Sequence, residues 1–144
     1  MGTKSPSCLP SAAVEALRVT PEPLSVAEAV AAVADTKSGA VVTFSGNVRD
    51  SEKGEAIRAI HYEAYTSMAL KEFRRIAGQA RRRWGVRAAV RHRVGAVPAG
   101  ESSLVIAAAG KHRSEAFEAC RFILEEIKTH APIWKVRFER DQRK

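Results

Sequence analysis

Apolar residues along the chain keep two different periods, and the switches between them divide it into elements. Ser25-Val26-Ala27-Glu28 has the form of a capping box, in which hydroxyl and carboxylate satisfy each other's backbone N–H groups, so a helix is predicted from there to about Asp35. Gly39 opens Ala40-Val41-Val42-Thr43-Phe44-Ser45-Gly46, a β-branched run that reads as a strand. Ser51 to Glu55 reads as a loop, after which Ile60, Tyr62 and Ala64 alternate with His61, Glu63 and Tyr65 as a second strand. From Ser67 the spacing becomes three and four. Leu70, Phe73, Ala77, Ala80 and Trp84 form the apolar stripe of a helix that Gly85 is placed to end. Val86, Ala88, Val90, His92 and Val94 then alternate with Arg87, Ala89, Arg91 and Arg93, which predicts a half-buried strand with a basic outer face.

Pro98 to Glu101 reads as a turn and Leu104 to Ala109 as a strand covered on both faces. A last helix is predicted from Ser114, with Phe117, Cys120, Leu124 and Ile127 inward, and Pro132 closes it because the residue before a proline avoids the α region. Ile133 to Phe138 is the final strand. The order α, β, β, α, β, β, α, β with short links predicts an α+β fold, a mostly antiparallel sheet with packed helices. Residues 1–18 mix Ser, Pro and Ala without a settled period and are expected as a flexible N-terminal extension; residues 19–144 are expected as one domain.

Composition narrows the class. Apolar residues make up 45% of the 144 and charged residues 28%, close to the average for a folded water-soluble domain. No apolar run approaches the roughly 20 residues of a membrane-spanning helix, and the first residues lack the apolar core of a secretory signal, so the cytoplasm is the expected compartment. Cys8 and Cys120 form no CxxC and have no partner at metal-ligand spacing; Cys120 falls on the inner stripe of its helix and reads as packing. His92, on the apolar register of its strand, reads as a core histidine and not as a catalyst.

Charge changes the picture more. The net charge is +8, and between Lys71 and Arg93 nine basic residues stand against Glu72 alone. A patch of that kind suits an acidic protein, a phosphorylated ligand or nucleic acid. Other cations stand where elements end: Arg49 after a strand, His112-Arg113 at a helix mouth, Lys128 at that helix's far end and Lys135 beyond Pro132. A helix mouth with a flanking Arg favours an anion, because free N–H groups and the macrodipole add to a bidentate donor. GxSxG, HExxH, the P-loop and GxGxxG are all absent, which leaves a positively charged pocket for a phosphorylated ligand.

Several stretches, in order and with matching spacing, carry a resemblance. They are Gly39 through Arg49, Tyr62-Glu63-Ala64-Tyr65, His92-Arg93-Val94-Gly95, Pro98-Ala99-Gly100-Glu101, His112 through Ala119 and Lys128 through Lys135. Together they resemble the large, catalytic subunit family of molybdopterin synthase from roughly Thr20 to Arg137. The resemblance implies an α/β-hammerhead type of fold and a sulfurtransferase of molybdenum-cofactor biosynthesis. Such an enzyme converts cyclic pyranopterin monophosphate into the molybdopterin dithiolene, drawing sulfur from the C-terminal thiocarboxylate of a small ubiquitin-like subunit. It implies a homodimer of large subunits within a heterotetramer, with no metal, no cofactor, no membrane and no nucleic acid.

By motif position, the resemblance makes Lys128 and Lys135 catalytic. It assigns the substrate to Asn47, Val48, Arg49, His112, Arg113, Lys128, Lys135, Val136 and Arg137, although Arg137 stands where relatives often carry an acid. The residue types suit the work: fixed cations hold a cyclic phosphate while charge develops, and a lysine carries protons for sulfur addition and loss of water. Ser114 and Lys128 lie about 21 Å apart along a helix, so His112 and Arg113 are expected to serve the pocket of a second subunit. Two other classes remain in view: a basic nucleic-acid-binding module, disfavoured by only 6% aromatic residues, and a non-catalytic scaffold for the ubiquitin-like partner.

Overall fold

Two open sheets meet at a seam in the computed structural model, which describes residues 16–141. The described residues form β1 (Leu17–Thr20), α1 (Val26–Val33), β2 (Ala40–Asn47), β3 (Ser51–Glu52), β4 (Glu55–Ala64), α2 (Thr66–Trp84), β5 (Arg87–Arg93), β6 (Gly95–Pro98), β7 (Ser102–Gly110), α3 (Arg113–His130) and β8 (Ile133–Arg140). The first sheet runs β1-β5-β7-β2, and the second runs β3-β4-β6 with β8 also on β4. All pairings are antiparallel except β1 with β5. The α+β class expected from the sequence is the one observed.

β7 is the centre of the first sheet and is covered on both faces, as its unbroken apolar run requires. Leu104, Ile106 and Ala108 face Phe73 and Ile76 of α2 and Ile123 of α3. Val105, Ala107 and Ala109 face Ala29 and Val33 of α1, small residues that let this helix approach closely. The basic outer face expected for β5 is therefore open only at Arg87, where the strand begins. Arg91, 2% exposed, lies beneath α1 and donates to Glu28 at 3.0 Å. That pairing also opens the expected capping box. Ser25 Oγ still accepts from Glu28 N at 3.1 Å, while the Glu28 carboxylate turns inward to Arg91.

Other expectations change in detail. Of residues 1–18, those before Ala16 lie outside the described residues, whereas Leu17 and Arg18 belong to β1, parallel to Val90 and Arg91. The loop expected at Ser51–Glu55 is a hairpin: Lys53 and Gly54 both take positive φ, 52° and 80°, and join β3 to β4. α1 ends at Val33, two residues early, where the Asp35 side chain accepts from the N–H groups of Lys37 and Ser38. Gly85 caps α2 in the left-handed region as expected. The inner stripe of α3 is Ala116, Ala119, Cys120, Ile123 and Ile127, and Phe117 is 61% exposed. Cys120 packs in the core, where burial pushes its thiol up to about 11.

The seam positions the site. After β5 the chain passes Val94 and Gly95, whose φ of 83° suits the bend, and enters the second sheet as β6. β2 leaves its sheet at the same level through a register irregularity between Gly46 and Asn47. Val48 is then buried with Ile57, Ile60, Tyr62 and Val97 in a small core of the second sheet. Among the described residues, no helix is long and apolar enough to cross a membrane.

Candidate active site

A cavity of about 370 Å³ opens at this seam, within the range of small-molecule sites. Its floor comes from paired strands. Gly46 of β2, Leu104 of β7 and His92 of β5 lie side by side in register, and β4 adds the buried Ile60 and Tyr62. Ile127, one turn from the end of α3, closes the floor from the helix side.

The rim is polar and cationic. Arg49, just past the end of β2, is 79% exposed at its side chain and lies 3.5 Å from Glu52, which β3 holds at the same rim. Lys128 projects from the last turn of α3, a position where a cation also complements the carbonyl end of the helix. Lys135 comes from β8, where it is registered with Tyr62, and its Nζ lies 5.8 Å from the Phe138 ring centroid. Neither lysine makes an ion pair among the described residues. The fold thus brings Arg49, from just past the end of β2, to the same opening as Lys128 and Lys135 from the consecutive elements α3 and β8. Trp134 stands beside Lys135 and meets Tyr65 edge-on at 5.2 Å.

Asn47 and Val48 also line the cavity. The Asn47 side-chain oxygen accepts from Ser102 Oγ at 2.8 Å and from Ser45 Oγ at 3.0 Å, which fixes its amide where β2 is irregular. Val136 and Arg137 are not among the lining residues; Val136 is exposed on β8, and Arg137 is registered with His61. His112 and Arg113 are not there either. His112 is the exposed N-cap of α3 and Arg113 its first residue, roughly 22 Å along the helix from Lys128.

Sequence reasoning named Asn47, Val48, Arg49, Lys128 and Lys135 and left out the other lining residues, Glu52, Tyr62, Ser103 and His92 among them. Glu52 was hidden in what read as a loop, Tyr62 in what read as a plain strand position, Ser103 between the expected turn and the expected strand, and His92 in the core. His92 is buried as expected, 7% exposed, with its Nδ1 donating to the Arg93 carbonyl at 2.8 Å. Burial holds its imidazole down to about 4; the bond to Arg93 opposes this, and the charge of Lys128 adds to it. Its ring also meets Tyr62 edge-on at 5.3 Å and forms part of the cavity wall. No group of three or more His, Cys, Asp or Glu among the described residues is placed to hold a metal ion.

Fold and site together define an α+β protein with a pocket at the seam of its two sheets, apolar at the floor and carrying Arg49, Lys128, Lys135 and Glu52 at the rim. The family model described as MoaE protein matches residues 19–130. Molybdopterin synthase catalytic subunit 1 of Mycobacterium tuberculosis is 43% identical over 122 residues, covering 84% of this chain and 83% of the relative. Molybdopterin synthase from Staphylococcus aureus superposes with a TM-score of 0.82 at 30% identity, over 87% of this chain and 91% of that one. A complex of subunits 1 and 2 of molybdopterin-converting factor from Helicobacter pylori gives 0.71 at 25% identity, over 90% and 92%. The chain belongs to the MoaE family, the catalytic subunits of molybdopterin synthase.

Proposed function

We propose that this chain transfers sulfur from the C-terminal thiocarboxylate of a small ubiquitin-like subunit to cyclic pyranopterin monophosphate, forming the molybdopterin dithiolene. The observation that carries the reading is the convergence of Arg49, Lys128 and Lys135 on one cavity with a buried apolar floor. The floor takes the flat faces of the pterin and the rim takes its phosphate. Arg49 holds the phosphate as the cyclic ester opens and negative charge develops. Lys128 carries the protons that sulfur addition and loss of water require, and Lys135 anchors substrate or the tail of the small subunit.

The pocket of one chain is completed by His112 and Arg113 of a second, because α3 is too long for its two ends to reach one small ligand. An isologous homodimer within a heterotetramer meets that need, and the cytoplasm is its compartment. Val136 and Arg137 then act from outside the cavity wall, on the approach to Lys135. The exposed cations of α2, Lys71, Arg74, Arg81 and Arg82, steer an acidic small subunit toward the complex. Lys128→Ala tests the central assignment: the variant is expected to bind both partners yet form no dithiolene when given cyclic pyranopterin monophosphate and thiocarboxylated small subunit. Near-normal product yield would falsify the role of Lys128.

A further inference from the structure

The cations at the rim are hydrogen-bond donors only, so they read the phosphate but leave the N–H edge of a heterocycle unread. An acceptor is needed deeper in the cavity. Most polar groups of the wall are committed elsewhere: the Asn47 oxygen to two serines, the Ser103 hydroxyl to the Gly46 carbonyl at 3.3 Å, and Glu52 to Arg49. His92 differs. A carbonyl can only accept, so the bond to Arg93 places the ring proton on Nδ1 and leaves Nε2 an acceptor. Nε2 lies on the opposite edge of the ring and has no hydrogen-bond partner among the described residues. The side chain is more than nine-tenths buried, yet it lines the cavity beside Tyr62 and Lys128.

We propose that His92 is a substrate-contacting residue, its Nε2 accepting a hydrogen bond from a ring N–H of the bound pterin and so fixing which edge of the heterocycle faces the lysines. The inference rests on the functional reading above and adds to it a specificity determinant on the floor. Nε2 is open to solvent through the cavity and is not a fully buried atom, so a ligand N–H there takes the place of water, and the contact favours a bicyclic N-heterocycle over a phosphate alone. Burial keeps the imidazole neutral at physiological pH, so the acceptor lone pair stays available. The Nδ1 bond to the backbone holds the ring in place before substrate arrives.

Two variants separate this contact from a structural role. His92→Asn keeps a donor near the position of Nδ1 and removes the acceptor at Nε2. His92→Gln keeps an acceptor near Nε2 and removes the donor. Binding of cyclic pyranopterin monophosphate and of inorganic phosphate is measured by equilibrium titration, with urea denaturation alongside.

The expected pattern is that His92→Asn binds the pterin about tenfold more weakly with phosphate affinity unchanged, while His92→Gln stays within about threefold of wild type despite lower stability. Pterin binding by His92→Asn at wild-type strength overturns the inference. So does a loss of affinity that follows stability through both variants, or an equal loss for phosphate. Wild-type protein that takes up phosphate but not the pterin overturns the functional reading itself, a result told apart from the others before any variant is made.

Discussion

Acidification should weaken this fold through one residue at the floor of its pocket. In the native state burial first, and the neighbouring Lys128 charge second, hold His92 at about 4, against 6.5 for a free imidazole. The sign follows from which state takes up the proton. Above pH 6.5 the ring is neutral whether the chain is folded or unfolded, and the group has no effect. Between 6.5 and about 4 the unfolded chain binds a proton that the native chain refuses, so stability falls as pH falls. Below about 4 both states are protonated and the loss levels off. At about 1.4 kcal/mol per pH unit, the full gap is worth about 3 kcal/mol, a substantial part of the stability of a domain this size.

Urea denaturation of wild type and His92→Asn at fixed protein concentration, stepped from pH 7 to pH 4, measures the difference. Carboxylates titrate in both chains and cancel. Glu139, held at about 2 by His61 and then Arg58, contributes stability above its ordinary 4.5 that is lost toward 2, below most of this window. The variant should lack most of the wild-type slope between pH 6.5 and 4. Parallel profiles would refute the burial argument, as would an imidazole midpoint near 6.5 by NMR.

Three further outcomes follow from the geometry. Arg113→Ala and Lys128→Ala chains, each inactive alone, should regain on the order of a quarter of wild-type activity when mixed and reassembled, because heterodimers then hold one intact site; no recovery counts against a shared pocket. Arg74→Glu with Arg81→Glu should slow association of the small subunit on the order of tenfold at low salt, and stopped-flow rates that ignore both salt and the substitutions would sink the steering role. Glu28→Ala should cost about 2 kcal/mol by urea midpoint, less than a fully buried pair because Glu28 is itself exposed, and adding Arg91→Met should recover most of it. An unchanged midpoint would mean that Arg91 gains nothing from Glu28.

The fold was legible where one physical signal acted alone. The capping serine at Ser25, the left-handed stop at Gly85 and the covered strand at β7 were each set by local chemistry, and each stands where the pattern put it. Reading failed where a second element supplied the missing partner. Arg91 sits on the polar register of an alternating strand, and only the arrival of α1 turns that register into an interior. β1 and β6 are four residues each, too short to show a period, and exist because β5 and β4 offer them an edge. Phe117 read as core because it is large and three residues from Cys120, but α3 turns its smaller Ala116 and Ala119 toward the sheet.

Charge separates structural cations from candidate ligand cations in a way that a linear sequence hides. Of the basic residues between Lys71 and Arg93, Arg75, Arg87, Arg91 and Arg93 are each engaged by a carboxylate: Glu72 and Glu126, Asp35, Glu28 and Glu101. None of these acids except Glu72 lies within the run, so the density of the patch overstated its free charge. Lys128 and Lys135 are the opposite case, unremarkable in sequence yet without a carboxylate among the described residues, at the mouth of a cavity. A surface lysine that forgoes an ion pair loses little, since such pairs are worth at most about 1 kcal/mol. Two of them held beside Arg49 over an apolar floor repel one another, and an anion drawn between them removes that repulsion. The same absence of partners that leaves each lysine structurally idle is therefore what fits the pair, under the proposed function, to draw an anion to the cavity.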